Sequence, residues 1–161
     1  MLYTSNFRKT VIIRHRRENL KKCSLRGLEG RPDLLFFTYP LKTLLPDLTH
    51  YVLLSMEGPV LSKEERDAGI LLIDGTWVYA AKMEKNLPLP PTILRRRLPK
   101  NMLTAYPRRQ EDCPDPKSGL ASVEALYTAY LLLGRDPQGL LDHYHWKELF
   151  YTKNHDALRC N

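Results

Sequence analysis

The chain has 161 residues and a hydrophobic fraction of 43%, which suits one domain with its own core and excludes wholesale disorder. It carries a formal net charge of +7, and it has neither a run of about 18 apolar residues that could span a membrane nor the apolar N-terminal stretch of a secretory signal. Its three cysteines stand far apart, which argues against a zinc ribbon or a disulfide framework, so we expect a cytoplasmic protein with no metal and no membrane partner.

Short apolar runs alternate with helical patterns along the chain. The apolar runs predict strands at residues 10–13, 34–38, 51–55, 70–73 and 102–105. Ser62 followed by Glu65 is typical of a capping box that opens a short helix. Further helices are predicted from Trp77 onward, at 120–133 and at 138–153. Strands that alternate with helices indicate an α/β fold with a mostly parallel sheet and helices on both faces.

Lysines and arginines cluster in three stretches, at residues 14–26, 95–97 and 108–109. Such clusters suit a polyanion, because each phosphate contact releases condensed counterions. A solvated surface without a nucleic-acid partner explains the same charge equally well.

Polar or small residues follow three of the predicted strands, at residues 55–58, 74–77 and 104–107. Ligands bind beyond the carboxyl ends of the strands in an open parallel sheet, so these segments predict the rim of a pocket. Asp74 is either a helix cap or a pocket carboxylate. Trp77 either packs on a buried stripe with Ala80 and Ala81 or lines that pocket. The helix that begins after Gly119 offers backbone N–H groups to a carboxylate or a ribose.

Other common site signatures are absent from the sequence. His143 and His145 lie two positions apart, a spacing that does not place both on one helical face. No GxGxxG, P-loop or GxSxG motif occurs, which argues against dinucleotide, nucleoside-triphosphate and serine-hydrolase sites.

Three motifs occur together, LLIDGTW at residues 71–77, NMLTAYP at 101–107 and GLASVEAL at 119–126. In this order and spacing they resemble the RNA aminocarboxypropyltransferases, a family with a ribosomal RNA branch and a DTW-domain tRNA branch. NLKKCSLRGL from Asn19 and VLLSMEGPVLSKEERDAGILLIDGTW from Val52 are similar to the ribosomal branch, whereas the DGTW within the second stretch is nearer to the tRNA branch. The resemblance implies a SPOUT-like fold with a C-terminal trefoil knot.

That resemblance implies a single domain over residues 1–161. Residues 1–60 form its N-terminal α/β part with the basic patch, and residues 61–161 form its cofactor-binding part. The implied reaction transfers the 3-amino-3-carboxypropyl group of S-adenosyl-L-methionine to N3 of a uridine or pseudouridine-type nucleotide in structured RNA, ribosomal RNA being favoured over tRNA. A SPOUT-like RNA methyltransferase and a non-catalytic RNA-binding ribosome-assembly protein are the alternatives. A monomer is favoured.

The resemblance also implies roles for individual residues. Asp74 and Trp77 are the implied catalytic residues: Asp74 holds the amino group of the transferred arm or removes the N3 proton, and Trp77 with Ala80 or Ala81 walls off the methyl group. The implied cofactor-binding residues are Ser24, Ser62, Ile73, Asp74, Trp77, Met102, Leu103, Ala121 and Glu124. The implied RNA-facing cations are Arg14, Arg16, Arg17, Lys22, Arg96, Arg97 and Arg109.

Within that cofactor set, the implied contacts differ from residue to residue. Ser24 and Ser62 bind the arm carboxylate or line the pocket, and the backbone of Ile73 meets the ribose. The backbone at residues 102, 103 and 121 reads the adenine, and Glu124 orients these loops.

Overall fold

A parallel β-sheet organises the chain in the computed structural model, which describes residues 7–107 and 119–160. The strands, in chain order, are β1 (Thr10–His15), β2 (Leu34–Tyr39), β3 (Tyr51–Leu54), β4 (Gly69–Asp74) and β5 (Leu94–Arg96). Within the described ranges these five strands lie in the order β2-β1-β4-β3-β5. Every neighbouring pair is parallel, and β3 of residues 1–60 lies between β4 and β5 of residues 61–161.

The central strands are apolar on both faces because helices cover both. In β1, Val11 and Ile13 pack into one core layer, and Ile12 packs into the other. The helices are α1 (Trp77–Asn86), α2 (Ser122–Leu132), α3 (Lys147–Lys153) and α4 (His155–Arg159). Met83 of α1 lies in the layer of Val11, and Leu126 of α2 lies in the layer of Ile12. The predicted α/β fold with a parallel sheet and helices on both faces is therefore confirmed.

The strand predicted at residues 102–105 is wrong. Met102 fills the core there, but the backbone of Leu103 pairs with a side chain instead of a strand. The Leu103 N–H donates to Oδ1 of Asn154 at 2.6 Å, and Nδ2 of Asn154 donates to the Leu103 carbonyl at 2.8 Å. The fifth strand is β5, which contains one apolar residue in three, so hydrophobic periodicity does not reveal it.

The C-terminal helix is shorter than predicted. Residues 138–146 form turns, Gly139 has φ +85°, and α3 begins only at Lys147. A positive φ is incompatible with a right-handed helix, which explains the break. The aromatic side chains of this segment nevertheless pack on the core as expected, with Tyr144 and Phe150 buried. None of the described helices combines the length and apolar character needed to cross a membrane.

The capping box predicted at Ser62 is confirmed. The Ser62 N–H donates to the Glu65 carboxylate at 2.9 Å, and the Glu64 N–H donates to Oγ of Ser62 at 3.3 Å. The element that it opens is only a 3-10 turn, Lys63–Glu65, because β4 begins at Gly69.

Candidate functional site

Two adjoining cavities lie at the carboxyl ends of β3 and β4. The larger has a volume of about 570 Å³ and lies among β3, β4, α1 and the segment after β5. Its lining includes Ser55, Ile73, Ala80, Ala81, Arg97 and Leu120. The smaller has a volume of about 350 Å³, and its lining includes Glu18, Lys22, Ser24, Asp74, Tyr106 and Ala121. The three segments that follow the predicted strands at residues 55–58, 74–77 and 104–107 therefore meet at these cavities.

Gly75, Trp77 and Ser122 line both cavities. These residues come from the turn after β4, the first residue of α1 and the first residue of α2. A ligand in the larger cavity can therefore extend past them into the smaller one. Sequence analysis did not single out Ser122, although its place at the start of the predicted helix after Gly119 was the available signal.

The smaller cavity contains a buried carboxylate, Asp74. The Asp74 side chain accepts hydrogen bonds from Oγ of Ser122 at 2.7 Å, Sγ of Cys23 at 3.2 Å and Nε of Arg14 at 3.3 Å. It does not cap α1, because the α1 cap is Thr76, whose hydroxyl oxygen accepts from the Tyr79 N–H. Asp74 is thus held by side chains from three different parts of the chain at the wall of the cavity.

Arg14 is buried, and this corrects its prediction as an RNA-facing cation. The register of the sheet pairs Arg14 of β1 with Asp74 of β4. Its side chain forms ion pairs with Asp74 and with Glu29, each at 3.3 Å. Burial alone would lower the pKa of Arg14. The surrounding anionic groups raise this pKa by a larger amount, so the net shift is upward. Its Nη2 is buried and has no hydrogen-bond partner among the described residues.

Cys23, Glu18 and Asp74 each place a potential metal-ligand atom within 4.8 Å of the others. The environment does not suit a cation. Burial, reinforced by the charge of Asp74, raises the pKa of Cys23 to about 12, so the thiol stays protonated and donates to Asp74. The guanidinium of Arg14 also lies against the same carboxylate. We therefore assign Cys23 and Asp74, with Arg14, to a hydrogen-bonded cluster.

Ser24, which lies on a loop distant in sequence, caps the N-terminus of α2. The residue at the cap position, Ala121, has no side-chain oxygen, and the Val123 N–H donates instead to Oγ of Ser24 at 3.1 Å. A hydroxyl that accepts in this way still has its own proton to donate. Ser24 lines the smaller cavity, so the hydroxyl can donate to a ligand there.

Glu124 is fully buried and joins α2 to the loop after Met102. Its carboxylate accepts from Oγ1 of Thr104 at 2.6 Å and from the backbone N–H groups of Ala105 and Ala121 at 2.8 and 2.7 Å. The Tyr144 hydroxyl donates to it at 3.0 Å. Glu124 lines neither cavity, so it orients the cavity walls and makes no direct contact with a ligand.

Trp77 is exposed over 44% of its surface, which excludes the buried-stripe interpretation. It lines both cavities, and Ala80 and Ala81 lie beside it on the larger one. A large apolar side chain left half in water at a cavity is a common feature of binding sites.

Besides Glu124, three predicted cofactor contacts are not brought to the cavities. Ser62 is occupied by its capping box, and Met102 is a core residue. The Leu103 N–H is taken by Asn154, so it cannot read a base. The larger cavity is lined instead by residues 98–100, 119 and 120.

The remaining predicted cations occupy different environments. Arg16, Arg17 and Lys22 are exposed, and Lys22 reaches the smaller cavity. Arg96 is half-buried and forms an ion pair with Glu65 at 2.6 Å, which partly compensates its charge. Arg97 lines the larger cavity. Arg109 lies outside the described residues.

Comparisons with known proteins support the fold. The sequence matches no protein-family model and none of the curated proteins. Among solved structures, the chain is similar to the SAM-dependent rRNA:acp-transferase Tsr3 from Vulcanisaeta distributa. The TM-score is 0.69 at 19% sequence identity, over 94% of this chain and 81% of that chain. At this identity the similarity shows a shared fold.

Proposed function

We propose that this chain transfers the 3-amino-3-carboxypropyl group of S-adenosylmethionine to N3 of a uridine or pseudouridine-type nucleotide in ribosomal RNA. The observation that carries the proposal is the pair of cavities joined at Gly75, Trp77 and Ser122. One cavity is large and partly apolar, and the other has a polar inner end. The shared fold with an rRNA:acp-transferase over 94% of the chain supports the same reaction.

The residues of the larger cavity fit an adenosyl group. Its volume of about 570 Å³ falls in the range of roughly 300–1,000 Å³ that small-molecule sites occupy. Ile73 at the end of β4 and the segments at 98–100 and 119–120 supply backbone and apolar surface for a ribose and a base. These segments replace residues 102 and 103, which the sequence assigned to the adenine.

The residues of the smaller cavity fit the zwitterionic end of the arm. The Ser24 hydroxyl proton, the start of α2 and the exposed Lys22 favour a carboxylate. The Ser122 hydroxyl donates to Asp74, which leaves its oxygen lone pairs for an ammonium N–H, and the carboxylate of Asp74 supplies the opposite charge. Asp74 already accepts three hydrogen bonds, so we assign it to charge recognition and not to removal of the N3 proton.

Orientation decides which carbon is transferred. When bound, S-adenosylmethionine supplies a sulfonium from which the arm carbon passes to N3 as the carbon–sulfur bond breaks and its electron pair stays on sulfur. Trp77, Ala80 and Ala81 provide an apolar wall that covers a methyl group. Ser24, Ser122 and Asp74 hold the arm so that its reactive carbon faces the incoming base. The N3 proton passes to water at the open mouth of the smaller cavity.

Other features belong to the same proposal. The exposed cations of residues 16–22 lie beside the smaller cavity and favour a polyanion there. Residues 1–60 would therefore carry much of the RNA contact, and residues 61–161 most of the cofactor contact. The SPOUT-like relation and the C-terminal trefoil knot are also part of the proposal.

Two labels on S-adenosylmethionine test the reaction. The protein is incubated with small-subunit rRNA and cofactor labelled either in the methyl group or in the arm carboxyl carbon. We expect arm label in RNA, methyl label in released methylthioadenosine, and a nucleoside with an aminocarboxypropyl mass increment. Methyl label in the RNA would identify a methyltransferase instead, and no cofactor binding by calorimetry would favour a non-catalytic RNA-binding protein.

A further inference from the structure

The smaller cavity changes character from its inner end to its mouth. Its buried or half-buried lining includes the polar side chains of Ser24, Asp74 and Ser122. Its exposed lining includes two large apolar side chains, Trp77 (44% exposed) and Val78 (62% exposed), together with Lys22 and Thr76. Tyr106, half-buried, and Pro107, exposed, belong to the same cavity.

The polar inner end accounts for an amino-acid arm but leaves the mouth unexplained. Asp74 already matches the ammonium and Ser24 the carboxylate, so the indole and phenol rings, the proline and the valine of the mouth are left to contact another group. They are suited to a flat, uncharged ring, because base–aromatic stacking needs only a π-face. The mouth therefore points to a nucleobase.

The surroundings of the mouth carry positive charge. Arg16, Arg17, Lys21 and Lys22 are exposed on the turns that follow β1. None of these four side chains forms an ion pair within residues 7–107 and 119–160. Exposed cations beside aromatic rings match an RNA strand, whose phosphates lie next to its bases.

We propose that this mouth is the acceptor subsite and that it stacks a single unpaired pyrimidine of the RNA on the rings of Trp77 and Tyr106. The inference rests on the proposed function, because it places the base where the arm carbon would emerge between Trp77 and Ser122. N3 lies on the Watson–Crick edge of uridine, so a paired base cannot present it, and an enzyme that acts there takes the base out of its helix. The substrate is thus a nucleotide in a loop or one extruded from a duplex.

Photo-crosslinking tests the subsite directly in the full-length protein. The probe is an RNA hairpin with one 5-iodouridine in its loop, and the control is the same strand annealed to its full complement. We expect the hairpin to crosslink to Trp77 or Tyr106, as located by mass spectrometry, and the duplex to give roughly tenfold less product. Crosslinks found only outside the mouth, or equal yields from hairpin and duplex, would overturn the proposal.

A variant series separates stacking from folding. Tyr106→Ala should raise the KM for hairpin RNA roughly tenfold, within the range for one stacking ring, while the Kd for S-adenosylmethionine stays the same. Tyr106→Phe should recover most of that loss, because it keeps the ring. The control is Leu44→Ser: Leu44 is 94% exposed and lines neither cavity, so its KM should stay unchanged. Equal KM values for Tyr106→Ala and the wild type would count against the subsite.

The outcomes also distinguish this inference from the proposed function. If the arm label is transferred but iodouridine crosslinks elsewhere, the reaction stands and the subsite is wrong. If iodouridine crosslinks at the mouth but no arm label reaches RNA, the subsite stands and the proposed reaction is wrong.

Discussion

The two ends of the sheet carry the same kind of polar cluster, an aspartate held by an arginine and a hydroxyl, but they use it differently. At the amino end, Asp33 forms a two-pronged pair with Arg31 at 2.9 and 3.0 Å and accepts from the Tyr130 hydroxyl at 2.9 Å. At the carboxyl end, Asp74 receives one longer bond from Arg14 at 3.3 Å. The amino-end cluster lines neither cavity, whereas Asp74 lines the smaller one.

This difference separates stability from ligand recognition. The Asp33 cluster is partly open to water, with side-chain exposures of 23% for Arg31 and 31% for Asp33, and its donors and acceptors satisfy one another. The Asp74 pair is more buried, with exposures of 11% and 7%, and it leaves Nη2 of Arg14 without a partner among the described residues. A buried pair with longer, less complete bonding gains little net stability over its desolvation cost and retains polarity that a ligand can use, although removing one partner leaves the other charge buried.

The largest expected effect comes from replacing Asp74 and Asp33, one at a time, by asparagine. Asp74→Asn removes the buried ion-pair partner of Arg14 and leaves it the more exposed Glu29, so the free energy of unfolding should fall by about 3 kcal/mol and transfer should be lost. Asp33→Asn should cost about 1–2 kcal/mol and leave transfer intact. Denaturant unfolding gives the free energy of unfolding of each variant. Transfer assays, run under conditions in which both variants are folded, give the activity. An Asp74→Asn protein with wild-type transfer would contradict the assignment.

The two tryptophans provide a second pair. Trp77→Ala should weaken cofactor binding roughly 10- to 100-fold, the loss expected for apolar contact with one large side chain, and should barely change the melting temperature, since Trp77 is half-exposed. Trp146 packs against the core and lines neither cavity. Trp146→Ala should therefore lower the melting temperature and keep the affinity. Calorimetry measures the affinity for the cofactor, and thermal unfolding measures the melting temperature. If both variants lost the same affinity, Trp77 would have no special role in binding the cofactor.

The two capping serines sharpen the comparison at a smaller scale. Ser24 caps α2 and lines the smaller cavity, whereas Ser62 caps the 3-10 turn away from both cavities. Each substitution by alanine should cost about 1 kcal/mol of stability, the usual effect of losing a cap. Only Ser24→Ala should also raise the Kd for S-adenosylmethionine. The same rise in Ser62→Ala would show that capping, and not ligand contact, explains the effect.

The smallest expected effect is a pH dependence at the amino end. Burial would raise the pKa of Asp33, but hydrogen bonds from Arg31 and Tyr130 outweigh it and lower the pKa below its ordinary value. A carboxyl with a lowered pKa stabilises the fold above its unfolded pKa, and that contribution is lost as the pH falls through the folded value. Stability measured from pH 6 to about 3 should fall less steeply in Asp33→Asn. Parallel slopes would remove Asp33 from the acid response.

Four of the five described strands could be predicted from their apolar runs, which are mostly buried in β1, β3 and β4 and mostly half-buried in the edge strand β2. The fifth could not, since β5 is an edge strand with two arginines, while the apolar run at residues 102–105 is bound by Asn154. The hydrogen bonds between Asn154 and the Leu103 backbone are long-range contacts, and the absence of a helix at Gly139 follows from its positive φ. Hydrophobic periodicity encodes neither of them.

The candidate site was only partly predictable for a related reason. Asp74, Trp77 and Ser24 follow from local motifs, and all three line a cavity. Arg14 appeared to be a surface cation because its place beside Asp74 depends on the register of β1 against β4. Ser122 could be recognised as a site residue only from the position of α2 relative to β4, which brings its hydroxyl to Asp74. Such long-range pairings decide which of several similar side chains become site residues.

The most direct test is a crystal structure of the protein with S-adenosylmethionine bound. We expect the sulfur at the junction of the two cavities beside the indole of Trp77, with the arm carboxylate near the Ser24 hydroxyl. An arm that points away from the smaller cavity, toward Arg97 in the larger one, would contradict the account.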